Sequence, residues 1–229
     1  MIEFLFLDLD DTILDFKLAE RLAIPKTLSA FGLNVTEELL QRYHEINKSC
    51  WEMLERGELT REEVGTRRFA EVFAQEGVEG DAVACNALYL KNLAIGHYFL
   101  PGAEEAVQRL SKKYRLYIAS NGNASVQVGR MTSADLYPYF EKVFISEHLG
   151  ANKPSKEFFD RSFAQIPGFD PKKAMIVGDS LTSDILGGIN AGIATCWVNP
   201  EHKPGKPEIK PDYEIESIAQ LEELLKTIQ

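Results

Sequence analysis

Residues 2–12 of the chain read IEFLFLDLDDT, an apolar run that ends in closely spaced carboxylates. No basic segment precedes the run, and it is far shorter than the roughly 18 apolar residues that a membrane span needs. The stretch therefore predicts a buried β-strand. Because side chains alternate along a strand with a period of two, Asp8 and Asp10 are expected on the same side.

The second half of the sequence alternates short apolar runs with amphipathic stretches. This alternation predicts an α/β fold, a Rossmann-like parallel sheet flanked by helices. Predicted strands are 2–7, 115–119, 142–145, 174–177 and 194–198. Predicted helices are 103–113, 125–133, 155–165, 182–191 and 218–228, the last with Ser217 and Gln220 as a capping box.

Residues 16–97 break this alternation, since their apolar residues recur at helical spacing without a convincing strand. Glycines interrupt the pattern, and Thr60 with Glu63 forms a capping-box sequence. We expect an inserted all-helical domain at 16–97 and a sheet domain made of 1–15 and 98–229.

Charge and cysteine content restrict the class of protein. The 35 acidic and 25 basic residues give a formal charge of -10, which repels nucleic acids and anionic membranes. Since the lysines are scattered, no local basic patch offsets this repulsion, and both classes of partner are disfavoured. The three cysteines lack CxxC spacing, as in a cytoplasmic protein with reduced thiols. The oligomeric state stays open.

Two further predicted strands also end in polar side chains. Asp179, followed by Asp184, comes after the strand at 174–177, and Ser120 with Asn121 comes after the strand at 115–119. The carboxyl edge of a parallel sheet is where ligands bind, so these groups are expected together. Several carboxylates at one edge need raised pKa values or a cation, and oxygen ligands favour Mg²⁺ over zinc.

A phosphate group approaching an aspartate needs positive charge nearby. Lys153, in the sequence ANKP at 151–154, is the candidate. Taken alone, a lysine beside a proline is usually a solvated loop residue. The order DxDxT, SN, KP and GDxxxxD on successive predicted strands makes the functional interpretation the stronger one.

These motifs resemble the four motifs of the haloacid dehalogenase (HAD) superfamily, over residues 4–199, with the helical insertion where that superfamily carries a cap. The resemblance implies a Mg²⁺-dependent phosphatase acting on a small phosphate ester. Asp8 would be the nucleophile and a metal ligand. Asp10 would be the general acid and then the base, and would bind the metal through its backbone carbonyl, while Lys153 would balance charge.

The same resemblance implies roles for the remaining motif residues. Asp179 would ligate Mg²⁺ directly, and Asp184 would act on the metal through water or by orienting Lys153. Thr12, Ser120 and Asn121 would lie on the substrate side, with Ser120 and the following loop amides holding phosphate oxygens and Thr12 supporting the turn.

Asp10 also separates branches of the superfamily. An acid at this position disfavours the dehalogenase branch, and the absence of DKTGT disfavours the ion pumps. Phosphomutases keep both aspartates, so a mutase stays open. A phosphoglycolate or sugar-phosphate phosphatase stays open as well, and a phosphate-binding regulatory protein without turnover is a remote alternative.

Segments in the insertion, among them NKSCW at 47–51, resemble the pyrimidine 5′-nucleotidase subgroup, which acts on noncanonical nucleoside monophosphates. Asn47 and Trp51 are the predicted substrate-binding residues there, because a base needs an aromatic face and a few hydrogen-bonding groups. Tyr43, His44 and Phe69 are further candidates. An equal alternative places Trp51 and Phe69 in the core of the helical domain.

Overall fold

The fold was analysed in a computed structural model, which describes residues 1–228. Six parallel strands form one sheet in the order β3-β2-β1-β4-β5-β6. The strands are β1 Phe4–Leu7, β2 Arg115–Ser120, β3 Lys142–Ile145, β4 Ala174–Gly178, β5 Ala194–Val198 and β6 Tyr213–Ile215. Since β1 lies between β2 and β4, the residues that follow these three strands emerge at the same edge.

The alternation of side chains along β1 explains why this strand is apolar throughout. Leu5 and Leu7 belong to the core on one face of the sheet, and Phe4 and Phe6 belong to the core on the other face. A parallel strand covered by helices on both faces is expected to be continuously apolar. The sequence IEFLFL is therefore that of a central strand.

Helices of two separate regions complete the fold. The helices of the sheet domain are α5 Ala103–Leu110, α6 Ala124–Ser133, α7 Ser146–Leu149, α8 Lys156–Phe163, α9 Leu186–Ala191 and α10 Leu221–Thr227. The helices of the insertion are α1 Phe16–Ala30, α2 Glu37–Glu55, α3 Arg61–Glu76 and α4 Ala82–Leu93. The predicted α/β fold with an inserted helical region is thus confirmed.

The chain divides into two compact units. One unit is Met1–Phe16 together with the chain from His97 onward, and the other is Lys17–Gly96. These bounds differ by one residue at each junction from the division into 1–15 with 98–229 and 16–97. The assignment of the two units as catalytic domain and cap remains a prediction.

The helical unit forms for local reasons that the sequence shows. The Thr60 hydroxyl accepts a hydrogen bond from the Glu63 amide while the Glu63 carboxylate accepts from the Thr60 amide, which confirms the capping box at the start of α3. Gly77 ends α3 in the left-handed conformation, with φ of +65°. Glycine adopts this conformation without a steric cost, so the helix stops there.

Some local predictions differ from the structure. All five predicted strands are present, but β6 was not predicted. Residues 182–191 are not one helix, because a π-helical turn at Leu181–Ile185 precedes α9. The capping box at Ser217 was wrong: the Gln220 side chain accepts from the Glu216 amide, and a 3-10 turn at Ile218–Gln220 precedes α10.

The cysteines and the helix lengths bear on the class of protein. Cys50, Cys85 and Cys196 are free and buried, which fits the reduced thiols expected from their spacing. Within residues 1–228, none of the helices combines the length and the apolar character that crossing a bilayer requires.

Candidate active site

Asp8 is the first residue after the central strand. Its amide donates to the Val177 carbonyl at 2.9 Å, which continues the pairing of β1 with β4 by one residue. This bond fixes the main chain of Asp8 at the carboxyl edge of the sheet. The side chain is largely buried, with 7% of the residue exposed.

Lys153 lies beside Asp8 and is itself buried. Its Nζ atom contacts the Asp8 Oδ1 atom at 2.7 Å, the Asp184 Oδ1 atom at 2.6 Å and the Ala119 carbonyl oxygen at 2.5 Å. An ammonium group has three hydrogens, so these three acceptors satisfy it. Lys153 is therefore part of the carboxylate cluster and not a solvated loop residue.

Asp184 reaches the cluster from the π-helical turn that follows β4. Its Oδ2 atom accepts from the Ser180 amide at 3.1 Å, and its Oδ1 atom faces Lys153. Gly178, the last residue of β4, makes room for it, because a Cβ atom at that position would lie 2.2 Å from Asp184 Oδ2. The contact with Lys153 fits the predicted role of Asp184 in orienting the lysine.

Three carboxylates form a candidate metal site. One oxygen from each of Asp8, Asp179 and Asp184 lies within 4.8 Å of the other two. Three negative charges against the single ammonium of Lys153 leave an excess of about two, and all the donors are oxygen atoms, so the set suits a hard divalent cation. The Asp10 carboxylate is not in the set; its predicted ligand is the backbone carbonyl, which stays a prediction.

The pKa values of these groups reflect their burial and mutual repulsion. Burial raises the pKa of Asp8 to about 8; Lys153 opposes this rise, and the charges of Asp184 and Asp10 add to it. Burial and the charges of Asp184 and Asp8 also raise the pKa of Asp179 well above its usual range. Although burial opposes it, the contacts with Asp184 and Asp8 raise the pKa of Lys153. A bound cation would stabilise the ionised form of each carboxylate.

The Asp10 carboxylate is held by the helix α6. Its Oδ2 atom accepts from Gln127 Nε2 at 2.7 Å, and its Oδ1 atom pairs with Arg130 Nη1. Asp10 is partly exposed, whereas Gln127 and Arg130 are fully buried. The predicted acid is therefore held by two side chains of α6 that are not members of the carboxylate cluster.

The predicted phosphate-side residues lie near the end of β2. The Ser120 hydroxyl accepts from the Gly122 amide at 3.0 Å and from Gln127 Nε2 at 2.8 Å. The Asn121 side chain is bonded to the main-chain oxygen and amide of Lys153, at 2.8 and 2.9 Å, so it positions the lysine loop. Buried Thr12 has a hydroxyl without a hydrogen-bond partner among residues 1–228. Their roles toward a substrate stay predictions.

The two site residues predicted in the helical unit have different surroundings. Asn47 is buried, donates to Glu20 at 3.1 Å and accepts from Arg68 at 3.0 Å. Trp51 is partly exposed, with the Arg61 guanidinium 5.7 Å from its ring. Phe69 is fully buried, which agrees with the core alternative for that residue. The role of Asn47 and Trp51 in substrate binding stays a prediction.

Sequence reasoning missed Gln127 and Arg130. They lie three residues apart on the helix that follows the Ser120 loop, and residues at this spacing share one helix face. The only signal in the sequence was a glutamine and an arginine at this spacing directly after a site loop. Glu20 and Arg68, two buried residues that Asn47 connects, were missed as well.

The comparisons with known proteins agree on the family of the chain. Residues 2–192 match the family of haloacid dehalogenase-like hydrolases. The chain is 38% identical to the pyrimidine 5′-nucleotidase PynA of Streptococcus pneumoniae, over 96% of this chain and 93% of that protein. It is 31% identical to the pyrimidine 5′-nucleotidase YjjG of Escherichia coli, over 97% of both.

A solved structure of a relative has nearly the same fold. The crystal structure of the HAD-hydrolase YfnB from Bacillus subtilis, described as bound to magnesium, superposes with a TM-score of 0.94. The sequences are 39% identical, and the match covers 98% of each chain.

Proposed function

Because this chain belongs to the haloacid dehalogenase-like hydrolases, we propose that it is a Mg²⁺-dependent phosphomonoesterase that forms an aspartyl phosphate on Asp8. The observation that carries this proposal is the buried Asp8 carboxylate at the end of the central strand. Lys153 Nζ donates to the Asp8 Oδ1 atom at 2.7 Å, and the carboxylates of Asp179 and Asp184 lie close to the Asp8 carboxylate. The Oδ2 atom is not used by that ion pair and is the proposed attacking atom.

In the first step, the Asp8 oxygen attacks phosphorus and a P–O bond forms. The bond from phosphorus to the ester oxygen breaks, and the Asp10 carboxyl group gives its proton to the departing oxygen, so the alcohol leaves neutral. In the second step, the Asp10 carboxylate removes a proton from a water molecule that attacks the same phosphorus. The bond to Asp8 then breaks, which releases inorganic phosphate and restores both aspartates.

The groups of the chain that would hold Mg²⁺ are the carboxylates of Asp8, Asp179 and Asp184, with Asp184 directly or through water, and the backbone carbonyl of Asp10. When bound, the ion neutralises the carboxylates and polarises the phosphoryl oxygens. Lys153 adds a fixed positive charge to the Asp8 side, and the Ser120 hydroxyl and the amides that follow it are the proposed donors to the other phosphoryl oxygens. Burial of Asp8 and Lys153 limits the access of water to the nucleophile.

For the substrate, we propose pyrimidine nucleoside 5′-monophosphates. Two relatives that cover nearly the whole chain carry the name pyrimidine 5′-nucleotidase, at 38% and 31% identity. Trp51, which is partly exposed, is the proposed stacking surface for a base, and Asn47 is the proposed polar contact. The three free, buried cysteines support a cytoplasmic location.

The nucleophile is tested with Asp8→Asn, with Asp135→Asn as the matched control. Asp135 lies after α6 with φ of +50°, a conformation that asparagine also tolerates, so the control makes the same chemical change away from the cluster. Asp8→Asn should lose turnover by more than about a thousandfold with the fold retained by circular dichroism. Turnover in a verified Asp8→Asn preparation comparable to that of Asp135→Asn would exclude Asp8 as the nucleophile.

The substrate class is tested separately with a panel assayed in Mg²⁺. Pyrimidine and purine nucleoside monophosphates, phosphoglycolate and sugar phosphates are compared by kcat/KM from phosphate release. Highest values for pyrimidine nucleotides support the proposal. Preference for phosphoglycolate or a sugar phosphate, or isomerisation of a sugar phosphate without phosphate release, would replace it with the corresponding phosphatase or mutase.

A further inference from the structure

We propose that Gln127 and Arg130 are positioning residues that fix the Asp10 carboxylate for proton transfer, and that Gln127 also sets the direction of the Ser120 hydroxyl. The inference rests on the proposed function, because it takes Asp10 as the acid. It assigns a role to two buried residues of α6 that belong to none of the four sequence motifs.

Arg130 is a fully buried cation, which is costly unless the charge is paired. Its Nη1 atom pairs with Asp10 Oδ1, and its guanidinium carbon lies 5.7 Å from the centre of the Phe16 ring. Asp10 is 27% exposed, so the carboxylate alone would sample several rotamers. The buried guanidinium holds one of its oxygens in a fixed place.

Gln127 holds the other oxygen. Its Nε2 atom lies 2.7 Å from Asp10 Oδ2 and 2.8 Å from Ser120 Oγ, so the two amide hydrogens have two acceptors. Its Oε1 atom is buried without a hydrogen-bond partner among residues 1–228. Turning the amide over would place this oxygen against the Asp10 carboxylate, which only accepts hydrogen bonds when ionised. Asp10 therefore sets the orientation of the Gln127 amide, and this orientation leaves Oε1 without a partner among residues 1–228.

The same amide determines what Ser120 can do. The Ser120 oxygen accepts from Gln127 Nε2 and from the Gly122 amide, which uses both of its acceptor positions. The remaining capacity is its own hydrogen, so the hydroxyl is set as a donor. A donor in this loop suits a phosphoryl oxygen, and Gln127 thus connects the acid with the phosphate-binding group.

Gly122 makes this arrangement possible. A Cβ atom on residue 122 would lie 2.2 Å from Gln127 Nε2. Gly122→Ala should push the amide away from Asp10 and Ser120 without deleting it. It is therefore an independent route to the same defect as Gln127→Ala.

The test compares two substrates that differ only in how much their leaving group needs a proton. Phenyl phosphate and p-nitrophenyl phosphate are assayed for kcat/KM with the full chain in Mg²⁺. In Arg130→Lys, which alters the hold on Asp10 but leaves the contact of Gln127 with Ser120 in place, the ratio of phenyl to p-nitrophenyl values should fall at least about fivefold. In Gln127→Ala and Gly122→Ala the ratio should fall similarly, and the p-nitrophenyl value should fall as well because Ser120 is released. Val128→Ala, an exposed position on the same helix, should leave both values unchanged.

Asp10→Asn separates the two levels of the argument. If Asp10→Asn leaves the ratio unchanged, the acid role in the proposed function is wrong. If Asp10→Asn lowers the ratio while Arg130→Lys, Gln127→Ala and Gly122→Ala do not, only the positioning role is wrong. Equal losses on both substrates in folded Arg130→Lys would also overturn it, since a merely structural defect does not discriminate between leaving groups.

Discussion

Replacing Gly178 with alanine tests the carboxylate cluster by adding a single methyl group. Gly178 is the last residue of β4, and the new Cβ atom would lie 2.2 Å from Asp184 Oδ2 and 2.3 Å from its Cγ atom. An ordinary contact begins at 3.4 Å, so the carboxylate must move by about 3.4 − 2.2 = 1.2 Å. The backbone of a central strand cannot move as easily, so the displacement falls on Asp184.

The contacts of Asp184 do not tolerate that displacement. Hydrogen bonds weaken beyond roughly 3.5 Å, and the bonds to Ser180 N and Lys153 Nζ start at 3.1 and 2.6 Å. At least one bond to a charged group is therefore lost, at about 1.5–3 kcal/mol. Since about 1.4 kcal/mol corresponds to a factor of ten, we expect kcat/KM and Mg²⁺ affinity to fall about 10- to 100-fold.

The assay is a Mg²⁺ titration by calorimetry, combined with kcat/KM for p-nitrophenyl phosphate. The matched control is Gly205→Ala, because an added Cβ there has no atom within 4 Å. If Gly178→Ala is folded and keeps both its Mg²⁺ affinity and its kcat/KM within about twofold of the control, the argument for a cluster that depends on the position of Asp184 is wrong.

Three further outcomes follow from the structure. Mg²⁺ at about 100 times its Kd should stabilise the protein by about 2.7 kcal/mol in thermal unfolding, and Asp179→Asn should lose most of this gain; an equal gain in the variant would exclude Asp179 as a ligand. The hydrogen bond that His44 donates to the Glu20 carboxylate raises the pKa of His44, so the stabilisation of the fold by this bond is present below about pH 6.5 and is lost as the pH rises through the folded-state pKa. The Tm difference between wild type and His44→Gln should therefore shrink from about pH 6 to about pH 8, and a constant difference would contradict it. Asn121→Ala removes two bonds to the main chain of Lys153, at about 1 kcal/mol each, and should lower kcat/KM about 10- to 30-fold; unchanged kinetics would show that the loop holds its position without Asn121.

The sheet and the carboxylate cluster were predictable from sequence because the signals are local. Each strand is an apolar run, and each carboxylate directly follows a strand end, so the parallel arrangement alone gathers Asp8 and Asp179 at one edge. By contrast, β6 spans only Tyr213–Ile215 and borders β5 alone, so three residues gave too little periodicity to identify it.

The side-chain network around Asp10 was not predictable in the same way. Gln127 and Arg130 lie within an amphipathic helix, and nothing in their spacing says that this face is turned toward a carboxylate more than a hundred residues away. The same holds for Asn47, which the sequence offers as a binding residue and the structure places between Glu20 and Arg68. Such contacts depend on the tertiary fold.

The central place of β1 in the sheet has a consequence during synthesis on the ribosome. Its hydrogen-bonded neighbours β2 and β4 begin at Arg115 and Ala174, long after Leu7 has been made. At roughly 5–20 residues per second, the synthesis of β4 begins on the order of ten seconds after Phe4–Leu7 has been made. Nascent chains shorter than residue 174 should therefore expose Phe4–Leu7 to chaperones, and full-length chains should not.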